Sequence, residues 1–328
     1  MKKIVMSHNF PLDQFEEELK DFEIICPVKR LDMYTKEEAV KAIKEATAFV
    51  CLKDFVCDKE LIDAGKNLKT ICNLGSGFDN VDVAYATEKG IVVLNTPNSV
   101  MEPTAEMTIA LVLGICRSTV RYDRELRKSR FCKSELLLER DMMVSGKTMG
   151  ILGFGRIGRC VAKKANALGM KILYYDKFQA PEDVEKSLDA SFVSTEYLLA
   201  NSDVISLHLP YVPENYRYMD ESKISQMKKN AYLINASRGA IVSEKALIEA
   251  LKNQTIAGAA LDVHEYEPDI SEEIVNLENI VITPHICTNI AEVRMNMMGE
   301  LIGGIQLLLN DKIPGNVVNP KALQPMKN

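Results

Sequence analysis

The chain has 328 residues, 47% of them hydrophobic, with a formal net charge of −6. That length suits about two domains of ~100–200 residues, each able to bury a real core. It contains no Lys/Arg block or aromatic-interleaved basic patch, so nucleic-acid binding has no electrostatic footprint, and its longest apolar run (residues 109–116) is far short of the roughly 20 residues a membrane helix needs.

Eight cysteines are present, none in a CxxC pair and most within apolar runs, as free thiols in a reducing compartment are. The opening Met1 to Met6 turns polar at Ser7, His8 and Asn9, too soon for a signal peptide, and the expected location is cytoplasmic. No metal-ligand pattern is found.

Residues 3–6 read as a first strand. Residues 11–19 read as a helix with Leu12, Phe15 and Leu19 on one face, and 23–26 as a second strand. A Thr35–Glu38 capping box opens a helix over 35–46. Strands follow at 48–52, 70–74 and 91–94, with helices at 59–64 and 83–88. Alternation of helices with continuous apolar strands predicts a parallel, doubly wound sheet. The rhythm then changes. Residues 103–127 read as one long helix with Pro103 in its first turn, either a core helix or a connecting helix that also packs on a second subunit. Residues 129–145 read as irregular.

Residues 147–176 carry the most informative pattern. A short strand with Met149, Ile151 and Leu152 leads into Gly153-Phe154-Gly155-Arg156-Ile157-Gly158 and then a helix with Ile157, Val161, Ala165 and Leu168 on one face. Gly169 suits the C-terminal cap, and a second strand ends on Asp176. Gly153 permits the tight turn, Gly155 lets backbone approach a pyrophosphate, and Gly158 lets helix and strand pack closely. The helix N-terminus offers N–H groups to phosphate. Asp176 stands where an acid bonds both ribose hydroxyls and repels a 2′-phosphate, so the pattern predicts NAD(H).

Alternation resumes with strands at 204–210, 231–235, 256–261 and 280–282, helices at 194–200, 223–227 and 243–252, and a last helix at 290–309. Ligands in such sheets bind beyond the carboxyl ends of strands. There lie Gly75-Ser76-Gly77, Ala236-Ser237-Arg238, Asp262 with Glu265 and Glu267, and Thr283-Pro284-His285. Of the other histidines, His8 is in an early loop, His208 is at a strand end on the adenosine side, and His264 is expected to be partly exposed. Reduction of a 2-keto acid needs a cation for the carboxylate and carbonyl, an acid for the alkoxide, and a carboxylate to orient that acid. Arg238, His285 and Glu267 supply these, and Gly75-Ser76-Gly77 could add backbone donors.

The runs Gly75 to Asp82, Thr104-Ala105-Glu106, Gly150 to Gly158, His208-Leu209-Pro210, Asn235 to Gly239, Ala260 to Val263, Glu267-Pro268, Thr283-Pro284-His285 and Asn316 to Pro320 resemble the D-isomer-specific 2-hydroxyacid dehydrogenase family over nearly the whole chain. The resemblance implies a Rossmann NAD-binding domain (101–291) inserted into a flavodoxin-like substrate domain (1–100 plus 292–328), a cleft that closes on substrate, and a homodimer through the long helix. It implies Arg238 as substrate-binding residue, His285 as acid/base and Glu267 as its partner. Ser76 and Gly77 then form a carboxylate cradle, with Leu52 and Lys53 near the substrate mouth. Thr104, Gly153, Gly155, Arg156, Ile157, Gly158, Asp176, His208, Pro210, Ala236 and Asp262 fall at cofactor positions, Asp262 toward the nicotinamide. Departures from the family pattern include His264, Ile290 and Val212, and the absence of Trp, for which Phe131 is a candidate substitute. The implied reaction interconverts a small 2-keto acid and a D-2-hydroxy acid. The alternatives are an NAD(H)-sensing scaffold similar to the family's corepressors, or a family dehydrogenase with a non-hydroxyacid substrate. Substrate choice and direction stay open.

Overall fold

A computed structural model describes residues 1–29, 32–131 and 141–323. The chain divides into two compact units, Met1–Val100 with Ile290–Asn328, and Met101–Asn289.

The first unit holds β1 (Lys2–Met6), β2 (Phe22–Ile25), β3 (Ala48–Cys51), β4 (Thr70–Asn73) and β5 (Val92–Leu94) in the order β2-β1-β3-β4-β5, all parallel. That is the flavodoxin-like order. The central strands are buried throughout, as parallel strands covered on both faces must be. The expected capping box forms: the Glu38 N–H reaches the Thr35 hydroxyl, and the Glu38 carboxylate accepts from the Thr35 N–H. Helix Ala291–Leu309 buries Met297, Met298, Leu301 and Ile305 in the core beside Ile4, Val50 and Leu94. The following tail is stitched to β5 by two asparagines. Asn316 donates to the Asn95 carbonyl at 2.8 Å, and the Asn319 side-chain oxygen accepts from the Val93 N–H at 2.7 Å.

The helix expected over 11–19 is shorter, a 3₁₀ turn at Asp13–Phe15 followed by Glu16–Leu19. Leu12, Phe15 and Leu19 still share the core-facing side.

The second unit holds β6 (Thr148–Leu152), β7 (Lys171–Tyr175), β8 (Ala190–Phe192), β9 (Val204–Leu207), β10 (Tyr232–Asn235), β11 (Gly258–Leu261) and β12 (Ile280–Ile282). Their order, β12-β11-β10-β9-β6-β7-β8, reverses between β6 and β9, the topological switch point of a Rossmann sheet. The short edge strand β8 and the helices Glu182–Ser187 and Glu272–Val275 carry too few residues for periodicity to reveal them.

The single long helix expected over 103–127 is instead two, Met101–Cys116 and Thr119–Ser129. Ser118 takes a left-handed backbone, φ +48°, and its hydroxyl donates to Asp141 at 2.6 Å. The Cys116 carbonyl, which a continuous helix would use, accepts from the Met142 N–H at 2.7 Å. A returning segment distant in sequence thus breaks the helix. Phe131, considered as a stand-in for tryptophan, is 70% exposed; residues 132–140 lie outside the described set.

Candidate functional site

In the second unit the strand register sets a straight row of positions. Tyr175, Leu152, Leu207, Asn235, Leu261 and Ile282 are successive cross-strand partners. The residues one step beyond them are therefore Asp176, Gly153, His208, Ala236, Asp262 and Thr283. Five of these are sequence-predicted site residues, and the sixth begins the run to His285.

At the switch point, Gly153 has φ +94°. A β-carbon there would lie 2.6 Å from the His208 carbonyl, so only glycine lets the turn pass under β9. The turn rests on Phe154, fully buried and stacked on Tyr174 with ring centroids 3.8 Å apart. Helix Arg156–Ala167 begins with Gly155 as its N-cap, and no side chain caps its first N–H groups. Gly155 and Arg156 are exposed and Ile157 is half-buried, whereas Gly158 is buried. Asp176 closes the turn: its carboxylate accepts the Phe154 N–H at 2.6 Å and the Lys177 N–H at 2.7 Å. Uncapped helix donors beside an anchored acid fit the pyrophosphate and ribose of a dinucleotide.

His208 pairs with the Ser206 hydroxyl at 2.8 Å, and burial pushes its imidazole down to about 4. It is therefore a neutral lining group. Pro210, two residues on, is exposed, and its carbonyl accepts from Asn215. Ala236 is 7% exposed. Thr104 is not in the row; it is buried on helix Met101–Cys116, which packs against β10, β11 and β12.

At the other end of the row stand the groups with acid–base chemistry. His285 Nδ1 lies 2.9 Å from a Glu267 carboxylate oxygen, whose other oxygen accepts the His264 N–H at 3.0 Å. Both side chains are partly exposed, 23% and 29%. Glu265, by contrast, is buried and structural. It accepts from Arg217 at 2.6 Å and from the Glu244 N–H at 2.8 Å, anchoring the loop that carries Glu267. Arg238 follows β10 on a loop set by Asn235, whose amide donates to the Arg238 carbonyl at 2.9 Å while its oxygen accepts from Ser237. The next residue, Gly239, sits directly on the Glu267 loop: a β-carbon there would be 1.9 Å from the His264 carbonyl. The loops bearing Arg238 and Glu267 thus touch backbone to backbone.

His264 differs from expectation. It is 4% exposed, with Nε2 3.0 Å from the Thr283 carbonyl, because its side chain turns inward under the loop. Sequence reading also missed Cys287, whose N–H and thiol both reach Asp262. Nothing in the sequence separates it from the other buried cysteines.

The first unit has its own candidate edge. Leu52-Lys53 follow β3 and Gly75-Ser76-Gly77 follow the neighbouring β4, since Cys51 pairs with Asn73. The Ser76 and Gly77 carbonyls are taken by Asn95 (2.7 Å) and Asn73 (2.5 Å), and their own N–H groups meet no protein acceptor among the described residues. Leu52 is half-buried and Lys53 exposed.

Among the described residues no cluster of three or more His, Cys, Asp or Glu could hold a metal, and no helix is long and apolar enough to cross a membrane.

The sequence model of a family described as D-isomer specific 2-hydroxyacid dehydrogenase, NAD binding domain, matches residues 109–287. A Staphylococcus aureus (strain MRSA252) protein named as a 2-hydroxyacid dehydrogenase is 43% identical over 285 residues, 87% of this chain and 89% of the relative. A glyoxylate reductase from Paecilomyes thermophila superposes with TM-score 0.87 at 29% identity, covering 97% of this chain and 98% of that one. A D-lactate dehydrogenase from Aquifex aeolicus, solved with NAD and lactic acid, superposes with TM-score 0.82 at 30% identity, covering 97% and 99%.

Proposed function

The chain belongs to the D-isomer specific 2-hydroxyacid dehydrogenase family, and from that premise we propose that it reduces a small 2-keto acid to the D-2-hydroxy acid, and runs the reverse reaction, with NAD(H). The observation that carries the proposal is the His285–Glu267 pair at 2.9 Å, beside the Arg238 loop, on the same sheet edge as the dinucleotide turn.

The bound nicotinamide supplies or accepts the hydride. The Arg238 guanidinium holds the substrate carboxylate and draws charge toward the carbonyl oxygen. Glu267 engages Nδ1 of His285, which fixes the ring and leaves Nε2 to deliver a proton to the oxygen as it becomes an alkoxide. In oxidation the same nitrogen removes the hydroxyl proton. Glu267 also sets a negative charge against the ring when both its nitrogens carry protons. In the first unit, the Ser76 and Gly77 N–H groups suit a carboxylate, and Leu52 and Lys53 stand at the same edge. Asp176 favours NAD(H), because its charge repels a 2′-phosphate. Free thiols at all seven described cysteines suit a cytoplasmic setting.

The test is His285→Ala. Loss of the acid should lower kcat by about 10²–10⁴-fold, while NADH binding, followed by its fluorescence, persists. Turnover at the unsubstituted rate would refute the assignment.

A further inference from the structure

We propose that His264 is a positioning residue for the reacting groups, and that one buried water ties its ring to Glu244; the positioning role rests on the reading of Arg238, Glu267 and His285 as the reacting set. Three parts of His264 reach three loops. Its N–H donates to a Glu267 carboxylate oxygen at 3.0 Å. Its ring Nε2 lies 3.0 Å from the carbonyl of Thr283, two residues before His285. Its own carbonyl lies against Gly239, directly after Arg238, where a β-carbon would come within 1.9 Å. How the ring is held therefore bears on where all three groups stand.

The partner of Nε2 fixes the tautomer. A carbonyl only accepts, so Nε2 carries the hydrogen, and in the neutral ring Nδ1 is then an acceptor. Nδ1 is buried without a hydrogen-bond partner among the described residues, and so is Oε2 of Glu244. The two residues are 4% and 5% exposed. Both line one cavity of about 10 Å³, with Val242, Leu247, Leu261 and Ile274 on its apolar walls. That is about the room one water takes. Glu265 also borders the cavity, but its two oxygens are engaged by Arg217 and by the Glu244 N–H.

Two acceptors facing one water-sized space require a molecule with two hydrogens to give. A water donating to Nδ1 and to Oε2 satisfies both, whereas either atom alone would keep its desolvation cost. A metal ion would find two ligands there, too few to replace its hydration shell. Glu244 is the first residue of helix Glu244–Lys252. That helix grips Glu265 directly, through the Glu244 N–H, and His264 through the water.

Glu244→Leu removes the anchor. It should lower kcat by about three- to tenfold, short of the ~10²-fold that a 1 Å misplacement costs, with NADH affinity unchanged. Glu244→Gln keeps a polar group that the water can meet as donor or acceptor, and should recover most of the loss. His264→Phe removes both ring nitrogens and strands the Glu244 oxygen. Adding Glu244→Leu to it takes the stranded oxygen away, so the double variant should lose less than the product of the two single losses.

The experiment measures kcat, the KM for the 2-keto acid and NADH affinity for the full chain and these variants, with His285→Ala alongside. It follows the His264 and His285 ring nitrogens by NMR without substrate, and locates the water in a high-resolution crystal structure of the full chain. A water between Nδ1 and Oε2, a neutral His264 with its hydrogen on Nε2, the Leu/Gln contrast and a His285 signal altered in Glu244→Leu support the proposal. A ring turned away from Thr283, or a crystal structure with no water between the two atoms, overturns the bridge. Independent losses in the double variant overturn the coupling. Should either single variant not fold, the other decides: kcat and the His285 signal unchanged in it overturn the positioning role. Wild-type turnover by His285→Ala would sink the acid/base reading itself; a dead His285→Ala beside a fully active His264→Phe would sink the positioning role alone.

Discussion

At the residue scale, burial holds the His208 imidazole at about 4 while an unfolded histidine titrates near 6.5. Between these values the unfolded chain binds the extra proton, so stability is complete above about pH 6.5 and falls as the pH drops toward 4. Lowering the pH from about 7 to about 5 should cost on the order of 2 kcal/mol through this group. His208→Gln should remove that part of the loss, as seen in paired urea unfolding curves at the two pH values. Identical pH dependence in both proteins would show that His208 does not carry it. Single residues were legible in the sequence where the strand pattern fixed their level. Arg238, Glu267 and His285 each follow a β-strand, and parallel register brings those ends together. His264 was not legible, because whether a loop side chain points in or out depends on the Thr283 carbonyl beneath it. The strand-end level of Asp262 was legible, but the donors to its carboxylate were not, since three of the four come from residues with no distinctive type or spacing.

At the element scale, strands and capped helices were legible because their signals are local. Thr35, Asp58, Ser194 and Ser243 all cap helices with their side chains. The break at Ser118 was not, because it depends on Met142 and Asp141 returning to Cys116 and Ser118. The second of the two helices, Thr119–Ser129, buries none of its residues within the chain. Beside it lies a cavity of about 320 Å³ lined by Ile115, Arg121, Arg124, Tyr232, Val275 and Val281. Two Arg121 guanidinium nitrogens are buried there without a hydrogen bond, Nε lying 3.7 Å from a Glu125 carboxylate oxygen, and a hydrogen-bond acceptor from outside the chain would satisfy them. From these features, and from the homodimer that the family resemblance implies, we propose that a second copy packs on this helix. Sedimentation should give twice the monomer mass, and Arg121→Glu with Arg124→Glu should shift the protein toward monomer. A monomeric wild type at micromolar concentration would contradict the proposal.

For the whole molecule, β/α alternation pointed to parallel, doubly wound sheets, whereas the flavodoxin-like and Rossmann character of the two sheets was implied by the family resemblance. The discontinuous first unit was beyond any linear reading; only the family resemblance suggested it, since nothing local says that residues past 290 rejoin the first hundred. Substrate identity was illegible for a related reason. Pocket size depends on side chains from distant segments, and the same fold serves many acids. The central claim is NAD(H)-dependent reduction of a 2-keto acid, and its most direct test is the fall in NADH absorbance with a panel running from glyoxylate through hydroxypyruvate and pyruvate to branched and aromatic keto acids, repeated with NADPH. The account predicts turnover of one or a few members, faster with NADH. Silence across the panel, with NADH shown to bind, would contradict it and favour an NAD(H)-sensing scaffold.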